Sequence, residues 1–108
     1  MIEINNLTKS KINEEFLKKV ARKVLASEKK DKDLSIAIVG PKEIQKLNKK
    51  YRKKDKPTDV LSFDYGDSGE VVLCPQQIEG EIDHVLIHGI LHILGYNHRE
   101  MKNIKING

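Results

Sequence analysis

A lone cysteine, Cys74, leaves the chain without a partner for an internal disulfide, which suits a reducing compartment. Long apolar runs are also missing. Stretches such as Val85-Leu86-Ile87 are a fraction of the about 20 residues that a bilayer span requires. A signal peptide is not expected either, because Lys9, Lys11, Glu14 and Glu15 interrupt the N-terminus before any apolar stretch accumulates. Together these absences point to a cytoplasmic protein with no membrane partner. Internal repeats and low-complexity segments are absent as well.

Positive charge is missing from a long segment. From Pro57 to His98 there is no Lys or Arg, while Asp59, Asp64, Asp67, Glu70, Glu79, Glu81 and Asp83 all fall there. The cations sit just before it. Lys42, Lys46, Lys49, Lys50, Arg52, Lys53, Lys54 and Lys56 lie within fifteen positions. This layout suits a protein that attracts a polyanion and also keeps a metal cation. Taken alone, the basic segment also describes a solvated helix face. Apolar residues make up 38% of the 108-residue chain and charged residues 33%, so a single domain over 1–108 has a thin core. A domain of this size buries only about 60% of its unfolded surface, so a bound metal would add usefully to its stability.

Hydrophobic spacing gives the order of elements. Ile2 to Leu7 alternates as a short strand. Asn13 followed by Glu14 and Glu15 reads as a helix start, with carboxylates at the positive end of the dipole. Phe16, Leu17, Val20, Ala21, Val24 and Leu25 then recur at three- and four-residue spacing, giving a helix from 13 to about 29. Leu34 to Val39 is a β-branched strand ended by Gly40-Pro41, and Pro41 suits the first turn of a second helix. Ile44, Leu47, Asn48 and Tyr51 share one face of that helix. Thr58–Phe63 and Glu70–Cys74 read as a hairpin around the turn-forming segment Asp64 to Gly69. Glu81 to Leu94 is helical by period and stops at Gly95. The order β-α-β-α-β-β-α implies an α+β domain, a mixed sheet covered by helices.

All four histidines fall between residues 84 and 98. On a helix, residues i and i+4 share a face about 6 Å apart along the axis, so His84/His88 or His88/His92 can meet at one ion. All three together cannot, because His84 and His92 are about 12 Å apart along the axis. Gly95 breaks the helix three residues after His92, and a left-handed turn there allows His98 to fold back. The expected ligands are therefore His88, His92 and His98, holding one zinc-like ion. Three neutral imidazoles leave the fourth tetrahedral position open, as in catalytic rather than structural zinc sites. HxxxH alone would describe two ordinary surface or core histidines; the glycine break and third histidine make it a metal pattern. The spacing H-x3-H-x2-G-x2-H is also that of metzincin peptidases, whose general base is a glutamate directly after the first histidine. Here that position is Gly89, which has no side chain to accept a proton.

His88-Gly-Ile-Leu-His-Ile-Leu-Gly-Tyr-Asn-His98 resembles the HGxLHLxGYDH signature of the YbeY-type bacterial endoribonucleases. Upstream, Leu47-Asn48-x-x-Tyr51-Arg52, followed by Asp55-Lys-Pro-Thr-Asp-Val-Leu-Ser-Phe63, resembles their LNxxYRxxDxPTDVLSF block. The resemblance spans about residues 34 to 98. It implies a zincin-like α+β fold with a metal-binding helix carrying HxxxH, and one Zn2+ on His88, His92 and His98. It further implies single-strand-specific, zinc-dependent endoribonuclease activity in small-subunit rRNA 3′-end maturation and ribosome quality control. The partners would be single-stranded RNA, ribosomal RNA and the small ribosomal subunit, with no DNA. Arg52 takes the place of the family's RNA-handling arginine, whose planar, permanently charged fork suits a phosphodiester. Lys49, Lys50, Lys53 and Lys54 would add salt-sensitive attraction for RNA. The chain departs from the family pattern at Asn97, where aspartate is usual, and at Gly108, where relatives continue into a further helix. The competing readings are a metallopeptidase-like zinc hydrolase, and a non-catalytic, metal-stabilised ribosome-binding protein.

Overall fold

The computed structural model describes residues 1–96. Four strands, β1 (Ile2–Asn6), β2 (Asp33–Ile38), β3 (Val60–Asp64) and β4 (Ser68–Leu73), form one sheet in the order β1-β2-β4-β3. Strands β1, β2 and β4 run parallel, and β3 lies antiparallel to β4 as an edge strand. Three helices, α1 (Glu14–Ser27), α2 (Pro41–Arg52) and α3 (Ile82–Ile93), complete the α+β domain, with a short 3-10 turn at Pro75–Gln77. None of the described helices is long and apolar enough to cross a membrane.

Alternation along the strands divides the core. Leu34, Ile36, Ile38, Val71 and Leu73 point to the face covered by α1 and α3, where they meet Leu17, Val20, Val24, Leu86, Ile90 and Leu91. The opposite face carries a smaller cluster of Val39, Leu61, Val72 and Cys74 closed by Ile44 of α2, with Leu47 and Phe63 at its margin. Cys74 is fully buried there. One helix over one end of a sheet face cannot cover all of it, so the thin core expected from composition takes a specific form: one well-filled layer and one partial layer.

Local chemistry sets the ends of the elements. The Asn13 side chain accepts the Phe16 N–H at 3.0 Å, capping α1. The hairpin loop is tighter than the sequence suggests, which moves both strand boundaries. The Tyr65 N–H donates to the Ser68 carbonyl at 2.9 Å, and the Gly66 N–H to Asp64 Oδ1 at 2.9 Å. These bonds extend the two strands to Asp64 and Ser68, while Thr58 and Asp59 stay in the preceding loop.

Candidate active site

Helix α2 is bound to the loop that follows it. Asn48, almost fully buried, donates from Nδ2 to the Lys56 carbonyl at 2.9 Å, and Gln45 Nε2 donates to Asp55 Oδ1 at 3.0 Å. Lys53 ends the helix in the left-handed region at φ 59°, and the chain turns from there toward β3. The Cys74 N–H donates to the Asp59 carbonyl at 2.9 Å, fixing the far end of the loop to β4. The loop is thus held at both ends, along one side of an open groove of about 630 Å³.

Arg52, in the last turn of α2, reaches across to the sheet edge. Its Nη2 donates to the Ser62 carbonyl at 2.7 Å, and its guanidinium carbon lies 5.0 Å from the Phe63 ring centre. The same Ser62 turns its hydroxyl the other way and donates to the Gly89 carbonyl of α3 at 3.0 Å. Arg52 is therefore held at a set orientation beside β3 while remaining exposed. The groove brings Arg52, Lys54, Lys56, Asp59, Ser62 and His92 to one place.

His88 and His92 are both exposed, one turn apart on α3. The helix ends as the spacing requires. Gly95 adopts φ 98°, its N–H donates to the His92 carbonyl at 3.0 Å, and the Tyr96 N–H donates to the Leu91 carbonyl at 3.0 Å. This is the doubly bonded glycine stop of a Schellman turn. The expected third ligand, His98, lies outside the described residues, as does Asn97. Among the described residues no group of three or more His, Cys, Asp or Glu could hold a metal ion. Two exposed imidazoles at i and i+4 fit zinc as two of its donors. His84 is exposed in the first turn of α3.

Gly89 turns away from that exposed face. A Cβ there would stand 3.0 Å from Val71 Cγ1, 3.1 Å from Ser62 Oγ and 3.3 Å from Val60 Cγ2. The glycine is what lets α3 lie close against β3 and β4. A glutamate at this position would be driven into the sheet.

The family model described as Endoribonuclease YbeY matches residues 3–106. The Endoribonuclease YbeY of Petrotoga mobilis is 41% identical over 112 residues, covering 88% of this chain and 78% of the relative. That of Aquifex aeolicus is 36% identical over 113 residues, covering 87% and 75%. The chain belongs to the YbeY family. It is a family of endoribonucleases, hydrolases acting on RNA. With the Endoribonuclease YbeY of Rubrobacter xylanophilus the match is 47% identical over 73 residues, 63% of this chain and 54% of the relative. The chain thus spans between about half and four fifths of the length of these curated relatives. The fold agrees with the solution structure of TM1509 from Thermotoga maritima, at a TM-score of 0.62 and 33% identity, covering 97% of this chain and 80% of that one.

Within this YbeY-family fold the four singled-out lysines separate. Lys54 lines the groove. Lys49 lies 3.8 Å from the Asp55 carboxylate, and Lys50 Nζ lies 5.2 Å from the Tyr51 ring centre. Lys53 is exposed at the helix end. Three further groove residues are not singled out by the sequence pattern: Lys56, Asp59 and Ser62. The signal was present in the Asp55–Phe63 block, but only as a run of residues. Nothing in a linear pattern says that Ser62 faces α3 with its side chain and Arg52 with its carbonyl.

Proposed function

We propose that this chain is a zinc-dependent, single-strand-specific endoribonuclease acting in small-subunit rRNA 3′-end maturation and ribosome quality control in the cytoplasm. Family membership supports RNA hydrolysis. The observation that carries the reading is the convergence of Arg52, Lys54, Lys56 and His92 on one groove at the edge of β3. An imidazole beside three permanent or near-permanent cations is an arrangement for a phosphodiester, which needs its negative charge met from several sides.

His88, His92 and His98 would hold the zinc. When bound, it supplies Lewis-acid activation for hydrolysis at the phosphorus. The protein's own residues do the positioning. Arg52, tethered through Ser62, presents its remaining donors to a phosphate without having to be ordered at the moment of binding. Lys54 and Lys56 draw the backbone into the groove. Asp59 is the one carboxylate among the described residues lining it. The competing peptidase reading is disfavoured by Gly89, because the position that bears the peptidase base faces a packed wall of Val60, Ser62 and Val71. Metal analysis of the purified protein, paired with cleavage assays on single-stranded RNA, double-stranded RNA and casein, tests the proposal. One zinc per chain and selective cleavage of single-stranded RNA are expected. Casein hydrolysis, or zinc without any RNA cleavage, would overturn it.

A further inference from the structure

Three aromatic rings lie side by side along β3, on the sheet face opposite α3. Tyr51 comes from the last turn of α2, Phe63 from β3 and Tyr65 from the hairpin loop. Phe63 meets Tyr51 edge-on, with ring centres 5.3 Å apart and planes at 72°, and lies nearly parallel to Tyr65 at 6.4 Å and 7°. Phe63 is partly buried against the small second core, as an ordinary core ring would be. Its two neighbours are not. Tyr51 is 50% exposed and Tyr65 64% exposed. Core packing therefore accounts for the middle ring and leaves the outer two presenting apolar surface to water.

Cations are interleaved with these rings. Lys50 Nζ stands 5.2 Å from the Tyr51 centre and the Arg52 guanidinium 5.0 Å from the Phe63 centre. Exposed aromatic faces beside a cationic track are how proteins hold single-stranded nucleic acid: bases stack on rings while phosphates meet Lys and Arg. On this chain the track has a direction. Arg52 belongs both to the aromatic row, through Phe63, and to the groove that His92 lines. On the far side, Tyr65 borders a cavity lined by Glu3 and Glu70, with Asp33 paired to the Met1 ammonium at 2.7 Å, a wall whose net negative charge disfavours a polyanion. Charge therefore favours a strand stacked on the rings that extends back past Arg52 and over the edge of β3.

We infer that Tyr51 and Tyr65 form a base-stacking platform that grips unpaired nucleotides of single-stranded RNA and delivers the adjoining phosphodiester past Arg52 into the His92 groove. The inference rests on the nuclease reading for its substrate and adds the element that makes it choose single strands. In a duplex both faces of each base are already stacked on their neighbours, so only an unpaired strand can offer one to a tyrosine.

The test uses the full chain and two fluorescein-labelled probes of equal length. One is a 2′-O-methyl oligouridylate, the other a backbone-matched oligomer with abasic residues. Base stacking is lost in the second while the phosphates remain. The parent is expected to bind the base-bearing oligomer about tenfold tighter, with its tyrosine fluorescence quenched, a clean signal in a chain without tryptophan. Tyr51→Ala and Tyr65→Ala should each weaken that binding by about fivefold or more and leave abasic binding unchanged, while Tyr51→Phe and Tyr65→Phe retain most of the affinity. Both positions are exposed, and thermal unfolding checks that each variant stays folded. Equal affinity of the parent for both oligomers, binding to neither, or unaltered binding by both alanine variants would overturn the platform. A protein that shows the base preference but cuts no RNA would fail the nuclease reading and keep the platform. One that cuts RNA normally with both tyrosines removed would do the reverse.

Discussion

Replacing Gly89 tests how closely the histidine helix must lie on the sheet. In Gly89→Ala the new methyl would sit 3.0 Å from Val71 Cγ1, where apolar carbons are normally about 3.5–4.0 Å apart. Overpacking of this kind costs about 1–3 kcal/mol. Against it stands the better helix propensity of alanine, worth about 1 kcal/mol. The net expectation is destabilisation by about 1 kcal/mol, or a fall in Tm of about 4–8 °C for a domain of this size. Because Val71 supplies the nearest atom, Val71→Ala should relieve the strain, giving a favourable coupling of about 1 kcal/mol in a double-mutant cycle. Gly89→Glu is a harsher case. It buries a carboxylate between Val60 and Val71 and is expected to remove several kcal/mol, much of the about 5–15 kcal/mol that holds such a domain together. Denaturant and thermal unfolding of the four proteins in the Gly89/Val71 cycle measure this. A rise in Tm for Gly89→Ala, or additive effects in the cycle, would refute the reasoning: propensity would then outweigh steric crowding, and α3 would not need its close approach.

Other outcomes follow from the same structure. His98→Ala should abolish zinc retention by the purified protein and His84→Ala should not; equal loss in both, read by elemental analysis, would show the ligand set to be wrong. Arg52→Ala should depress RNA cleavage far more than zinc content, since its side chain meets Ser62 and Phe63; parallel losses would place it in support of the metal instead. Changing Lys54 and Lys56 to Ala should flatten the log–log salt dependence of RNA binding by about 0.7 for each phosphate left unneutralised, and more than Lys49→Ala, whose ammonium lies near Asp55. Asp64 has its carboxyl held below the ordinary value by the Gly66 N–H and by Lys32. A depressed folded value means its contribution is present above the unfolded pKa and lost as pH falls through the folded one, so Asp64→Asn should blunt the acid limb of a stability–pH curve.

The sequence pattern foretold the strand and helix order and the glycine stop of α3, because those depend on local rules. Leu17, Val20, Val24 and Leu25 recur with the helical period and are buried as that period demands; Gly95 ends α3 because only a residue tolerant of positive φ closes both terminal hydrogen bonds cheaply. What escaped was sidedness. Tyr51 shares a face with Ile44 and Asn48, and the period gives no warning that its ring, edge-on to Phe63, is left half in water. Gly89 likewise reads in the sequence as a missing base, whereas in the fold it is the point of contact between α3 and the strands. A residue's role as spacer depends on what stands opposite it, and neither Val71 nor Val60 is near it in the chain.

The two signature blocks of the sequence, one on α2 and the loop into β3 and one on α3, turn out to be one mechanical unit. Ser62 joins them with both its polar groups: the carbonyl receives Arg52 and the hydroxyl grips the Gly89 carbonyl. Movement of α3 away from β3 would therefore pull on the seat of Arg52, and loss of Arg52 would leave the Ser62 carbonyl to water at an open strand edge. Arg52 and the histidine-bearing helix are coupled in this way through a single serine and a glycine that permits it to come close. That coupling gives a physical reason for finding the Asp55–Phe63 and His88–His98 patterns together on one chain, because either alone would present its charged groups with no fixed distance to the other.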